Sequence, residues 1–278
     1  MNKVTSKDGT TIAYDQLGSG PALILVTGAF GVRRHPIMAQ LAELLSPHFT
    51  VIYYDRRGRG DSGDSPSYAV EREVEDIEAL IDAAGGSAFL AGSSSGSVLA
   101  LEAVARLPDK VKKLVMYEPP FVVDDSRPPV GKDFAQRLNA LIAEGRRGDA
   151  VELFMTEAVG VPPEFVAQMR SGPGGGGAGE RMTPPEWVEM EQVAHTLAYD
   201  SAIMGETMSG KPLPAGRWST ATAPTLVISG GKSPPFFHNG AQALVALLPD
   251  AEYRILEGQD HAVSPDALAP VLVEFFAH

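Results

Sequence analysis

A short stretch rich in glycine and serine, residues 92–96, is the feature that most constrains how this chain can fold. The apolar run Ala88–Ala91 ends there at the sequence GSSSG, and apolar residues at helical spacing follow at once. A G-x-S-x-G pattern between a strand and a helix is typical of a sharp turn that lifts its central serine, Ser94, above a sheet. Glycines suit such a turn because strand and helix backbones approach closely there. The same five residues are also compatible with an ordinary polar loop between a strand and a helix.

Apolar runs typical of buried strands alternate with helical patterns along most of the chain. A turn at Asp8-Gly9 within Val4–Tyr14 predicts a hairpin of two short strands. Most later runs are almost wholly apolar, as expected of strands that are covered on both faces of a parallel sheet. These runs are Ala22–Thr27, Thr50–Tyr54, Ala88–Ala91, Leu114–Tyr117, Thr225–Ser229 and Tyr253–Leu256. The helical patterns between and after them are Pro36–Leu45, Val70–Ala84 and Ser264–Phe276. The alternation predicts the α/β class, with a mostly parallel central sheet flanked by helices.

One long interval, between Pro119 and Pro224, has helical patterns and no convincing strand. The helical patterns cover Phe134–Ala143, Ala150–Ala158 and Trp187–Tyr199. We therefore predict that residues 120–220 form a helical cap inserted into a core domain made of residues 1–119 and 221–278. Within the cap, the glycine-rich residues 172–179 predict a flexible loop.

Composition narrows the classes of partner. The 278 residues carry a formal net charge of −12 and include no cysteine. Such an acidic chain lacks the basic patch that nucleic acids attract, and it has no apolar run of about 18 residues that could span a membrane. The polar N-terminal segment has no signal-peptide core, which predicts a cytoplasmic location. A thiol nucleophile is excluded, and the spacing of the histidines favours no metal site. We expect a small-molecule substrate and neither a metal nor a cofactor.

Three further segments follow predicted strands at positions where a nucleophilic serine needs partners. They are Val26–Gly31, Tyr54–Ser62 with the sequence DRRGRGDS at residues 55–62, and Leu256–His261. Together with Ser94 they resemble the α/β-hydrolase family, in which a serine nucleophile, an acid and a histidine follow in that order. The resemblance implies that Ser94 is the nucleophile and His261 its general base. It also implies that the backbone N–H groups of Ala29 and Ser95 form the oxyanion hole, and that Asp55-Arg56 brace loops near the site.

The acid departs from the family pattern. Most members carry an aspartate just after the strand that matches Thr225–Ser229, where this chain has Ser233. A serine cannot hold the histidine tautomer or offset an imidazolium charge as a carboxylate does. Glu118 ends the neighbouring predicted strand and is our candidate for the acid. A structural role for Glu118 and a role for Asp260 as the acid stay open as alternatives.

The chain also resembles the fungal zearalenone hydrolases, which open a macrocyclic lactone. The shared features are a Ser-Ser-Gly elbow, a glutamate–proline pair after the strand that follows the elbow, and the missing aspartate. Aromatic candidates for the substrate pocket are Phe30 and Trp187, with Tyr117, Phe121, Phe236 and Phe237 nearby.

The resulting prediction is a serine hydrolase that cleaves a carboxylic ester or lactone of a small, largely apolar molecule through an acyl-enzyme. Two alternatives remain: a non-catalytic or degenerate small-molecule binder, and a biosynthetic lyase or cyclase on the same fold.

Overall fold

The computed structural model describes residues 1–172 and 184–277. The predicted flexible loop at 172–179 therefore falls outside the described residues from position 173 onward. Eight strands form one sheet in the order β1-β2-β4-β3-β5-β6-β7-β8. The strands are β1 (Asn2–Thr5), β2 (Thr11–Leu17), β3 (Ala22–Val26), β4 (Thr50–Tyr54), β5 (Ala88–Ser93), β6 (Val111–Tyr117), β7 (Thr225–Gly230) and β8 (Ala251–Leu256). β1 and β2 pair antiparallel, as does β2 with β4, and the remaining pairs are parallel. The predicted hairpin and the mostly parallel sheet are both confirmed.

Helices connect the strands and cover both faces of the sheet. The helices of the described residues that lie outside the β6–β7 connection are α1 (Pro36–Leu45), α2 (Val70–Ala83), α3 (Ser95–Arg106), α9 (Pro235–Val245) and α10 (Pro265–Ala277). The β6–β7 connection contains α4 (Phe134–Ala143), α5 (Arg147–Leu153), a π-helical turn (Phe154–Val159), α6 (Pro163–Ser171), α7 (Pro185–Gln192), a 3₁₀ turn (Ala194–Thr196), α8 (Leu197–Met204) and a second 3₁₀ turn (Gly205–Met208). We call the described part of residues 134–208 the helical insertion.

Four helical segments differ from the sequence prediction. The helix predicted at Trp187–Tyr199 is two helices separated by a 3₁₀ turn, and the segment predicted at Ala150–Ala158 passes into a π-helical turn after Leu153. The helices α6 and α9 were not predicted. Each begins with a proline at its first position, Pro163 and Pro235, directly after another proline. A proline is well suited to that position because the first helical N–H has no acceptor within the helix.

The two faces of the sheet pack against different helices. In β3, Ile24 and Val26 belong to the core on the side of α2 and α3, whereas Leu23 and Leu25 belong to the core on the side of α1 and α10. Successive strand residues point to opposite faces, so a strand covered on both sides is apolar throughout. The polar groups of the candidate site are accordingly placed at the carboxyl edge of the sheet, outside the core. Among the described helices, none is long and apolar enough to cross a membrane.

Candidate active site

The turn at residues 92–96 has the tight geometry that its composition predicts. β5 ends at Ser93, α3 begins at Ser95, and Ser94 between them has φ 52° and ψ −132°. A Cβ added at Gly92 would lie 2.5 Å from the Cα of Ser97, and one added at Gly96 would lie 2.5 Å from the carbonyl oxygen of Val26. Only glycine fits at both positions, because the opposing atoms belong to the backbone. The turn therefore holds Ser94 in a fixed position at the N-terminus of α3.

Left-handed backbone conformations cluster at this site. Among the described residues, three that are not glycine have a positive φ: Phe30 (62°), Ser94 (52°) and Glu118 (49°). Such a conformation costs of order 1–3 kcal/mol for a residue with a side chain, and it persists where the surrounding structure enforces it. All three residues are among those predicted from the sequence to form the site. The strained residues thus lie at the site that the sequence pattern predicts.

His261 and Glu118 form a hydrogen-bonded pair. The Nδ1 atom of His261 lies 2.7 Å from Oε2 of Glu118, whose side chain is fully buried. The other carboxylate oxygen, Oε1, accepts a hydrogen bond of 2.7 Å from the backbone N–H of Gly230. The ring of Phe237 stacks on the His261 imidazole with centroids 4.9 Å apart. The carboxylate and the phenyl ring together fix the orientation of the imidazole.

The two other positions considered for the acid are occupied differently. The carboxylate of Asp260 accepts a hydrogen bond from the backbone N–H of Ala262 at 3.0 Å. The hydroxyl of Ser233 is buried and has no hydrogen-bond partner among the described residues. Glu118 is therefore the carboxylate that contacts His261. Tyr117 supports the loop that carries Asp260 and His261, because its hydroxyl donates to the carbonyl oxygen of Asp260 at 2.5 Å.

A single large cavity brings most of the predicted site residues together. It has a volume of about 1280 Å³ and lies between the carboxyl edge of the sheet and the helical insertion. Ser94 and His261 line it, together with Ala29, Phe30 and Ser95. The loop that carries Ala29 passes directly beside the turn, since a Cβ added at Gly28 would lie 2.9 Å from the Cβ of Ser94. Glu118 lies behind His261 and is not part of the wall.

The apolar wall comes mainly from residues that were not predicted. The helical insertion and the segment before it contribute aromatic, methionine and aliphatic side chains: Val130, Phe134, Phe154, Met155, Ala158, Met204 and Met208. Their only sequence signal is the apolar stripe of each helix, which is equally typical of core packing. Two lysines, Lys132 and Lys211, lie at exposed positions of the lining.

Trp187 does not line the cavity, contrary to the sequence expectation. Its side chain is buried within the helical insertion, its indole N–H donates to Glu191 at 2.7 Å, and the guanidinium of Arg170 lies over its ring. Trp187 thus satisfies both its apolar surface and its single donor internally. Of the six aromatic residues considered from the sequence, only Phe30 lines the cavity; the others are Tyr117, Phe121, Trp187, Phe236 and Phe237.

The segment DRRGRGDS has the bracing role predicted for Asp55 and Arg56. The buried Asp55 accepts hydrogen bonds from the backbone N–H groups of Arg33 (2.7 Å) and Asp61 (3.0 Å). Arg56 binds Glu73 through two hydrogen bonds of 2.7 Å and also contacts Asp200 of α8 at 2.7 Å. These contacts tie the loop after β4 to α2 and to the helical insertion.

Two imidazoles that do not line the cavity also have defined partners. His238 lies 2.7 Å from the hydroxyl of Tyr253, and His195 lies 3.6 Å from a carboxylate oxygen of Asp64. In the part of the chain that the structure describes, no group of three or more His, Asp or Glu side chains is placed to hold a metal ion.

The family model "Alpha/beta hydrolase family" matches residues 23–271 of this chain. Among solved structures, an alpha/beta hydrolase from Sphaerobacter thermophilus is 54% identical, with a TM-score of 0.87, and the match covers 99% of this chain and all of that one.

Two curated relatives are similar in sequence. An uncharacterised hydrolase, YraK, of Bacillus subtilis is 34% identical over 115 residues, which cover 40% of this chain and 42% of that protein. The 2-(acetamidomethylene)succinate hydrolase of Mesorhizobium japonicum is 27% identical over 95% of this chain and 91% of its own length. The chain thus spans well under two thirds of the first of these relatives and nearly all of the second.

Proposed function

The chain belongs to the alpha/beta hydrolase family, and on that premise we propose that it is a serine hydrolase for a carboxylic ester or lactone of a small, largely apolar molecule. One observation carries the proposal. Ser94, at the strained turn, and His261, anchored on the buried Glu118, both face one cavity whose wall is mostly apolar. Hydrolases of this fold that act through a serine need this combination of a nucleophile, a base and an oriented acid.

In the first step Ser94 Oγ attacks the carbonyl carbon of the substrate. The hydroxyl proton passes to Nε2 of His261, because the contact with Glu118 keeps the other ring proton on Nδ1. The carbonyl oxygen becomes negatively charged as the new C–O bond forms. Collapse of this intermediate breaks the ester C–O bond, and His261 gives its proton to the departing alcohol oxygen. Ser94 is left acylated.

Water then hydrolyses the acyl-enzyme by an equivalent pair of steps. His261 takes a proton from the water as its oxygen attacks the acyl carbon, and the bond to Ser94 then breaks with return of a proton to the serine oxygen. The products are a carboxylic acid and an alcohol, or a hydroxy acid where the substrate is a lactone.

The negative charge on the carbonyl oxygen is stabilised by the N–H groups of Ala29 and Ser95. Ser95 is the first residue of α3, so its N–H has no acceptor within the helix and the helix dipole favours an anion beside it. Removal of one such donor typically lowers kcat by about 10² to 10³.

The cavity favours an uncharged acyl group of moderate size. Phe30, Phe134 and Phe154 provide flat apolar surface, with the rings of Phe30 and Phe154 packed edge to face at 5.6 Å. A volume of about 1280 Å³ is larger than that of many ligand pockets, which commonly measure about 300–1000 Å³. Alkyl chains and macrocyclic or alkyl-substituted lactones are therefore suitable candidates.

The test is pre-steady-state hydrolysis of p-nitrophenyl esters, combined with a panel of alkyl-substituted lactones followed by proton release. We expect a burst of p-nitrophenol close to one equivalent of enzyme, which marks acylation of a serine. Ser94→Ala should lower kcat by about 10⁵ or more, as losses of the nucleophile do in other triad enzymes. Folded protein that hydrolyses none of the panel, or a Ser94→Ala variant that keeps its activity, would contradict the proposal.

A further inference from the structure

Two buried charged residues outside the proposed mechanism, Arg59 and Asp200, contact both segments that carry the oxyanion hole. Arg59 belongs to the loop after β4 and Asp200 to α8 of the helical insertion. Both side chains are almost completely buried, and they pair through a contact of 2.6 Å between Nη2 and Oδ2. Buried charges are costly unless they are paired, so this placement calls for a role.

Arg59 binds the peptide group that supplies one oxyanion donor. Its Nη1 atom donates to the carbonyl oxygen of Gly28 at 2.6 Å and to that of Gly31 at 3.2 Å. The carbonyl of Gly28 and the N–H of Ala29 belong to one planar trans peptide, and they point in opposite directions. A hydrogen bond to the carbonyl therefore fixes the direction of the N–H, and the guanidinium charge polarises that N–H into a stronger donor.

Asp200 binds the residue that supplies the other donor. Its Oδ1 atom accepts a hydrogen bond of 2.7 Å from the hydroxyl of Ser95 and one of 2.7 Å from Arg56. Burial alone would raise the pKa of the Asp200 carboxyl, but Arg56 and Arg59 beside it hold that pKa below its usual range. The carboxylate is thus charged, and it holds the hydroxyl of Ser95 without itself lining the cavity.

We propose that Arg59 and Asp200 are positioning residues for the oxyanion hole, acting through the Gly28–Ala29 peptide and the Ser95 hydroxyl. This inference rests on the proposed function. Because Asp200 belongs to α8, the Arg59–Asp200 ion pair both holds the helical insertion against the core and aligns the N–H groups of Ala29 and Ser95. Substrate binding does not involve this pair, since neither side chain lines the cavity.

The test compares Asp200→Asn, Ser95→Ala and the double variant by steady-state kinetics on a p-nitrophenyl ester that the wild type hydrolyses. Each single change should lower kcat by about tenfold to a hundredfold, part of the loss seen when an oxyanion donor is removed, with KM within about threefold of wild type. The double variant should lie within about threefold of the more impaired single variant, because both changes act on one hydrogen bond: Asp200→Asn removes the charge of its acceptor, and Ser95→Ala removes its donor.

Asp76→Asn is the matched control. Asp76 is an equally buried aspartate that pairs with Arg57 through contacts of 2.7 and 2.8 Å, away from the cavity. It should lose thermal stability but keep kcat within about threefold of wild type. A similar kcat loss in this control would contradict the positioning role, because general destabilisation would then explain the effect.

Other results of these kinetic measurements also test the positioning role of Arg59 and Asp200. A kcat loss below about tenfold in Ser95→Ala, a loss confined to KM, or multiplicative effects in the double variant would each contradict the inference. Where Asp200→Asn yields no folded protein, the kcat and KM of Ser95→Ala decide alone. Folded wild-type protein that hydrolyses neither the esters nor the lactones of the panel would contradict the proposed function itself, which separates the two failures.

Discussion

The substitution Glu118→Gln changes one carboxylate oxygen into an NH₂ group with almost no change in volume. The buried carboxylate of Glu118 accepts from two donors, the N–H of Gly230 and Nδ1 of His261, each at 2.7 Å. An amide can accept from only one of them with its oxygen. If the NH₂ group faced Gly230, two donors would oppose each other in a buried site, at a cost of about 1–3 kcal/mol.

The amide oxygen is therefore expected to face Gly230 and the NH₂ group to face His261. Nδ1 of His261 must then act as an acceptor, which places the ring proton on Nε2, toward Ser94. This tautomer cannot take the serine proton. Amide replacement of a triad aspartate lowers kcat by about 10⁴, or about 5 kcal/mol of transition-state stabilisation, and we expect a loss of about 10³ to 10⁴ here.

The assay is kcat for p-nitrophenyl ester hydrolysis, with far-UV circular dichroism and thermal unfolding to confirm folding. Glu102→Gln is the control, because Glu102 is also a buried glutamate that accepts side-chain hydrogen bonds, from Trp218 and Arg217 at 2.8 Å each and from Arg106. It should be less stable but within about threefold of the wild-type kcat. A Glu118→Gln variant within about threefold of wild type would refute the reasoning about the tautomer.

Three further substitutions test other parts of the account. Gly92→Ala should abolish folding or lower the free energy of unfolding, measured by urea titration, by more than about 3 kcal/mol, because its Cβ would meet the Cα of Ser97 at 2.5 Å. Gly216→Ala, with open space around the added Cβ, should leave that free energy unchanged. Burial lowers the pKa of His195 below its ordinary 6.5, so the unfolded state binds a proton that the folded state does not, and stability should fall as the pH drops through 6.5. His195→Gln should make the free energy of unfolding fall less steeply between about pH 7.5 and about pH 5.5. An unchanged slope in the variant would contradict the assignment of this pH dependence to His195. Ala158→Phe should narrow the cavity and raise KM for p-nitrophenyl decanoate by about tenfold while leaving the acetate unchanged; equal effects on both esters would show that Ala158 does not limit chain length.

The parallel sheet and the turn were predictable because their signals are local. An apolar run such as Ala22–Val26 is buried on both faces, and the glycines at 92 and 96 are required by backbone contacts that a side chain cannot avoid. The position of Glu118 followed from the order of adjacent parallel strands, since β6 and β7 place their carboxyl ends side by side.

Other features have no local signal. Trp187 has an aromatic side chain in a helical stripe, and nothing in that pattern distinguishes a cavity wall from internal packing against Arg170 and Glu191. The pair of Arg59 and Asp200 joins residues 141 positions apart, so only the folded chain shows that the two charges meet. Helix α9 was not predicted, although Pro234-Pro235 marks its start.

Three consecutive serines make the central claim directly testable. The structure distinguishes Ser94 from Ser93 and Ser95 by its left-handed backbone, and the hydroxyl of Ser95 is already bound to Asp200. The measurement is the mass of the protein after reaction with a fluorophosphonate, followed by fragmentation of the labelled peptide to locate the adduct. One adduct on Ser94, lost in His261→Ala, is the predicted result. An adduct on Ser93 or Ser95, equal labelling of His261→Ala, or no adduct on folded protein would contradict the assignment of Ser94 as the nucleophile.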